Sequence, residues 1–220
     1  MVVANKVSRA ELDRRNSQLF SILFDLTSSL GVFKIIALNA KAINRSGVGK
    51  AFLKHVHWMS LNKILLDLSK LYENKKDHEI NSLPVIVSLV VDVDMSDNEI
   101  GMPDFLQRHS VEYVSDKGRI LLKGLLRRKQ KDFRKALEQI RAIRNEKIAH
   151  FQDDRKSARH TLPTYNEMEG LVLFAIDLYK FVSNACGVAT MNFMADRRTE
   201  KSLISALEAM GITNLKTSYE

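Results

Sequence analysis

At 220 residues, with 45% apolar and 27% charged side chains, the chain can bury a core without covalent staples and is too apolar to stay disordered. The single cysteine, Cys186, excludes a disulfide framework within the chain, leaves no basis for a cysteine zinc site, and fits a reducing cytoplasm. The formal net charge of +8 points to a polyanionic partner, while 9 Gly and 3 Pro are too few for a turn-rich β-sandwich.

The segment Ser8-Arg9-Ala10-Glu11 forms a capping box, which starts a helix carrying Leu12, Leu19, Phe20, Leu23, Phe24 and Leu30 at amphipathic spacing. Gly31 is expected to end or bend this helix before Phe33, Ile36 and Leu38 resume the pattern. A second helix is expected from about Lys50 to Glu73, with Phe52, Val56, Met59, Ile64, Leu65, Leu68 and Leu71 buried and Trp58 in the core. Ser82-Leu83-Pro84 reads as a helix start with proline in the first turn. The β-branched stretch after it leaves a buried strand as the alternative over 82–93. A polar connection from Asp92 to Gly101 precedes a short helix over Pro103 to His109.

From about Glu112 to Phe151 the pattern is helical again, with bends expected near Gly118 and Gly124. Asp153 to Pro163 is polar and loop-like. Thr164-Tyr165-Asn166-Glu167 is a second capping box, opening an apolar helix through Leu171, Phe174, Ile176, Leu178 and Phe181. A last helix covers about Arg198 to Met210, with Gly211 as its C-terminal cap. The reading is an all-α, single-domain helical bundle over 1–220, its core at about 8–189 and a terminal helix at about 198–210. No stretch of about 18 uncharged apolar residues is present, so neither a leader nor a membrane span is expected.

The chemistry concentrates in Arg144-Asn145-Glu146-Lys147-Ile148-Ala149-His150. Phe133, Leu137, Ile140, Ile148 and Phe151 fall on one narrow helical arc, and Arg144 falls in its middle. A cation on an apolar stripe requires a partner or a wet cleft, and Glu138 and Asp154 are the nearest candidates for an ion pair. His150 lies roughly 120° around the helix from Arg144 and about 9 Å along it. One helix therefore does not bring both groups onto one atom, whereas two copies crossing about a two-fold axis would. His150 could otherwise serve as a helix C-cap, favoured by the dipole.

Arginine, a polar residue, four others and histidine, late in a helical bundle, resembles the motif of the HEPN superfamily (higher eukaryotes and prokaryotes nucleotide-binding). A tryptophan-bearing second helix, the motif helix, a polar loop and an apolar capped helix look like its AbiU-type abortive-infection branch, over about Ser8 to Ala189. The resemblance implies a homodimeric, metal-independent endoribonuclease without a cofactor, of the toxin or phage-defence kind. Arg144, Asn145 and His150 of both subunits would then form one composite site. It implies a 2′-hydroxyl nucleophile, proton transfer by His150, charge stabilisation by Arg144, and products with a 2′,3′-cyclic phosphate and a 5′-hydroxyl. Some relatives carry a modifiable tyrosine two residues beyond the histidine; here that position is Gln152.

Leading into the motif, Lys117 to Lys135 holds nine cations against Asp132, with Asp116 just before it. Lys123, Arg127, Arg128, Lys131 and Arg134, with Arg141 and Lys147 beyond, are candidate RNA contacts, although a charge run is also what a solvated helix face looks like. The same track would suit an acidic antitoxin or inhibitor. His55 and His57, two apart on a helix, do not share a face for metal binding. Asp92, Asp94 and Asp97 lack the glycine of a calcium loop and read as a solvated turn. No glycine-rich phosphate loop is present. Cys186 reads as a buried small apolar group.

Overall fold

The computed structural model describes residues 7–74, 81–149, 161–188 and 198–217, with the backbone alone at 147–149. Among the described residues nine helices occur: α1 (Arg9–Leu38), α2 (Ala40–Ser46), α3 (Lys50–Leu71), α4 (Leu83–Asp92), α5 (Met102–Arg108), α6 (Gly118–Asp132), α7 (Arg134–Ala149), α8 (Tyr165–Ala185) and α9 (Arg198–Ala209). The fold class is all-α. The one β feature described is a single parallel bridge between Val7 and Val93, so 82–93 is helix from Leu83 to Asp92, with extended backbone only at its two ends, Ser82 and Val93. Two compact units divide the chain: Met1–Leu23 with Leu68–Met191, and Phe24–Asp67 with Asn192–Glu220. We refer to them as the motif unit and the second unit; α1 and α3 supply residues to both.

In the motif unit, α6 packs against α4, α5 and α7, and α8 against α4. Leu19 and Leu23 of α1, Ile86 and Val90 of α4, Phe105 of α5, Leu122 and Leu125 of α6, Ile140 of α7 and Leu171 and Leu178 of α8 are among its buried side chains. The expected break at Gly124 is not there. Gly118 instead marks the start of α6, where a Cβ would stand 2.2 Å from Asp97 Oδ2 and 2.9 Å from Met102 Cγ. The interruption falls at Phe133, between α6 and α7. Its ring approaches Gly170 of α8 so closely that a Cβ there would lie 2.7 Å from Phe133 Cζ. A glycine thus provides the seat for the aromatic wedge that separates the two helices.

In the second unit, Ile35, Ile36, Ile43, Leu53, Leu207 and Ile212 form the core. Gly31 neither ends nor bends α1 into a new helix. The helix runs on to Leu38 because apolar packing on both sides of Gly31 outweighs the roughly 1 kcal/mol helix penalty of one glycine. The one-residue interruption comes at Asn39, which is 2% exposed. Its Nδ2 donates to the carbonyls of Ile35 (2.9 Å) and Lys216 (3.0 Å), while its Oδ1 accepts from the Lys216 amide at 2.6 Å. This amide pins the C-terminal segment to the α1–α2 corner.

One expectation about apolar surface needs correction. On α3, Leu53, Leu61, Ile64, Leu65, Leu68 and Leu71 are buried, but Phe52, Trp58 and Met59 are exposed at 63%, 49% and 51%. The first half of α3 packs along a single stripe through Leu53 and Leu61, leaving its other apolar side outward. Helix α1 is long and apolar enough by length and composition to cross a membrane, but it carries charges such as Asp25 and Lys34 and has Leu12, Leu19, Leu23 and Leu26 buried within protein.

The capping signals differ in completeness. Thr164 and Glu167 make the full reciprocal box: the Glu167 amide donates to Thr164 Oγ1 (3.3 Å) and the Thr164 amide to Glu167 Oε2 (2.7 Å). At α1 the Glu11 amide donates to Ser8 Oγ (3.1 Å), while the Glu11 carboxylate accepts from Arg14 and Arg15. Those two guanidiniums hold its pKa down at about 2. At the far end, Gly211 takes φ +79° and its amide donates to the Glu208 carbonyl at 2.8 Å, the cap expected of it.

Candidate functional site

Helix α7 is written in strong helix formers, RKALEQIRAIRNEKIA, and turns one face inward through Ala136, Leu137, Ile140 and Ile143. Arg134, Glu138, Arg141 and Asn145 follow one exposed stripe. Arg144 lies on the inward side of that stripe, with its side chain 24% exposed. Its Nη1 meets Glu73 Oε2 at 3.2 Å. Its Nε and Nη2 both donate to Asn145 Oδ1, at 3.2 and 3.1 Å. Adjacent motif residues therefore form a fork-on-amide pair, which fixes the guanidinium plane. Among the described residues, three of its five N–H donors have partners, and a guanidinium so oriented suits an oxyanion.

The partner of Arg144 is Glu73, neither of the two acids expected. Nothing local signals a pairing across 71 positions; it follows from where α3 ends. That end is held from three sides. The Tyr72 hydroxyl, buried to 1%, donates to the Leu171 carbonyl of α8 at 2.8 Å. Burial pushes this phenol far above its ordinary range, so it stays a neutral donor. Arg141 Nη2 reaches the Tyr72 carbonyl at 3.4 Å, and Gln130 Nε2 reaches Asn74 Oδ1 at 3.4 Å. Glu73 is thus presented to Arg144 by a turn that α6, α7 and α8 all grip.

His150, Phe151, Gln152 and Asp154 lie outside the described residues, and Lys147 is described in its backbone only. Of the remaining cations, Lys123, Arg127 and Lys131 share one exposed stripe of α6 at i, i+4 and i+8, and Arg134 is exposed at the start of α7. The side chains of these four make no hydrogen bond or ion pair within the described residues. Arg128 differs: its Nη2 donates to the His109 carbonyl at 2.8 Å, closing the end of α5. With Arg141 on Tyr72, two of the candidate RNA contacts also brace the fold.

Arg119, in the same basic run, is structural. Its guanidinium donates to the carbonyls of Val90 (3.2 Å), Val91, Val93 (2.9 Å) and Met95, and its Nε meets Asp97 Oδ1 at 3.3 Å. It caps the C-terminus of α4, where a cation also answers the helix dipole. Asp97 is accordingly an ion-paired anchor, which also accepts from the Tyr113 hydroxyl at 3.4 Å, rather than part of a solvated turn.

Among the described residues no group of three or more His, Cys, Asp or Glu is placed to hold a metal ion. His57 stacks on Phe33 at 4.4 Å, while His55 faces outward beside Trp58 at 6.2 Å. Cys186 is half-buried at the end of α8, and burial raises its thiol pKa.

An all-helical fold whose helix α7 carries Arg144 and Asn145 in its last turns, in a sequence that runs on to His150, is of the HEPN type. The sequence profile of one branch, AbiU2, matches residues 43–202, most of the chain. The protein belongs to this AbiU2 family of HEPN domains. No curated protein and no solved structure matches it.

Proposed function

We propose that the protein is a metal-independent endoribonuclease of the toxin or phage-defence kind, acting as a homodimer through a composite site of paired Arg144, Asn145 and His150. The observation that carries this reading is the state of Arg144. It is half-buried on the motif helix and its guanidinium is oriented by Asn145. The resemblance of this motif to that of HEPN ribonucleases supports placing the cleavage here.

The reaction needs little from the protein. The ribose 2′-oxygen attacks the adjacent phosphorus while its proton passes to a base; the bond to the 5′-oxygen breaks as that oxygen receives a proton. A 2′,3′-cyclic phosphate and a 5′-hydroxyl result, and no water is consumed. A histidine is suited to move protons near neutrality. Arg144 is suited to the extra negative charge at phosphorus in the transition state. Lys123, Arg127, Lys131 and Arg134 supply a cationic approach whose attraction for RNA falls steeply with salt. In a cell, such an enzyme would be held by an antitoxin or inhibitor until phage attack.

The test is incubation with total RNA in EDTA, comparing wild type with His150→Ala. Cleavage by wild type alone, with cyclic phosphate ends, is the expected result. RNA binding without cleavage would instead favour a non-catalytic RNA- or nucleotide-binding domain. The Arg144–Glu73 ion pair supports a third reading, a helical interaction module in which Arg144 ties α7 to the end of α3. In that case Arg144→Ala would lower stability and RNA would not bind.

A further inference from the structure

From Leu26 to Leu66 the chain carries no aspartate or glutamate, against Lys34, Lys41, Arg45, Lys50, Lys54 and Lys63. The whole run lies in the second unit, apart from the motif. Lys63 is neutralised locally by Asp25 (3.2 Å) and Asp67 (2.9 Å). Lys50 and Lys54 are exposed on α3 beside an aromatic surface. At 100° per residue, Phe52, His55 and Met59 fall within about 60°, Trp58 follows next to His55, and Lys54 lies one turn before Trp58 on the same side. Phe52 is 63% and Trp58 49% exposed, and the His55 ring lies 6.2 Å from Trp58, inclined by 27°.

Large exposed aromatics are costly in water, and here they stand on a stretch of chain that carries cations and no acid. That pairing suits a ligand with flat apolar faces joined by a polyanionic backbone. We infer that this face of α3 is a stacking platform for unpaired bases of single-stranded RNA, with Phe52 and Trp58 taking the bases and Lys50 and Lys54 the phosphates. The inference rests on the ribonuclease reading only in naming RNA as the polyanion. Stacking on protein aromatics needs splayed bases, so a duplex of equal charge would not engage the platform. It would give the enzyme a preference for single-stranded regions that the motif does not itself supply.

Trp58 is the sole tryptophan, so its emission reports on this face alone. The experiment titrates the full-length protein with a single-stranded 2′-O-methyl RNA of about 10 nucleotides, which lacks the attacking hydroxyl. A hairpin duplex of matched charge and anionic phospholipid vesicles serve as the other arms. Expected are saturable quenching by the single strand, none by the duplex, and a loss of affinity of at least about fivefold in Phe52→Ala with the melting temperature unchanged. Arg127→Ala with Lys131→Ala, on the other unit, should weaken binding yet preserve the quenching at saturation.

Binding of the single strand without quenching, unaffected by Phe52→Ala, overturns the platform and leaves the ribonuclease reading in place. Binding of no RNA overturns both. A blue shift on vesicles without response to RNA would assign the face to a membrane surface. A blue shift that grows with protein concentration, with doubled mass abolished by Phe52→Ala, would assign it to a second copy of the chain. Either result overturns the proposal.

Discussion

In the motif unit several arginines are held within the fold: Arg119 on the carbonyls at the end of α4, Arg128 on the end of α5, Arg141 on Tyr72 and Arg144 on Glu73. In the second unit the cations of α3 are lysines, and Lys50 and Lys54 stand in solvent beside exposed aromatic rings. The difference is one of chemistry as much as place. A guanidinium offers several directed donors and can close a helix end or bridge two elements; an ammonium on a flexible stem is better left to meet phosphate as a point charge. A count of cations along the sequence ranks α6 and α7 as the basic surface. The structure divides that run into bracing arginines and a smaller exposed set, and reveals a second cationic surface with a different character.

Substitutions can break this comparison. The largest effect is expected at Arg144. Arg144→Ala should reduce RNA cleavage by about 10²–10³-fold, as for loss of a transition-state charge partner. It should also cost about 1–3 kcal/mol in urea unfolding, because Glu73 is left part-buried without a partner. The double variant Arg144→Ala, Glu73→Gln should regain most of that stability but none of the cleavage. If cleavage returned with stability, Arg144 would be structural only.

Next comes Gly170→Ala, which forces a Cβ into the Phe133 ring and should destabilise the motif unit by about 1–3 kcal/mol in the same measurement. Thr164→Ala removes a complete capping box and should cost about 1 kcal/mol. Ser8→Ala, where the reciprocal bond is replaced by the Glu11 pairs to Arg14 and Arg15, should cost less. An unchanged melting temperature in Thr164→Ala would show that α8 is held by packing alone.

A smaller effect concerns pH. His109 sits between Phe105 and Phe174, and its burial lowers its pKa below the ordinary imidazole range; Asp177 at 3.9 Å opposes this, while Lys129, Arg108 and Arg128 add to it. The folded state thus keeps it neutral where an unfolded chain would protonate it, so stability falls as pH drops below about 6.5. His57, buried against Phe33 in the second unit, has its pKa lowered for the same reason. A melting temperature lower by a few degrees at pH 5.5 than at pH 7.5 is expected, with a smaller drop in His109→Gln. Smallest of all, Trp58→Ala should change stability by no more than about 0.5 kcal/mol, since its ring is half in solvent. A larger loss would return Trp58 to the core where the sequence had suggested it.

The helices were legible because their signals are local. Periodic leucines in α1, Thr164 with Glu167, Pro84 in a first turn and Gly211 after a last turn each act within a few residues. The motif from Arg144 to His150 was legible for the same reason, as was the family. The fate of an apolar or charged side chain was not, because it depends on what arrives from elsewhere. Helix α3 shows this within its own length: Leu61 and Met59 carry similarly apolar side chains, yet only Leu61 is buried. Arg144 shows it for charge, since its spacing predicted a need for a partner and only the end of α3, fixed by Tyr72 and Leu171, determined that the partner is Glu73. Sequence by itself determined where the backbone is helical and which residue types the site contains. Tertiary structure decided which faces are covered and which cations are engaged, because burial and pairing are properties of surfaces that meet, and the meeting partners lie far apart along the chain.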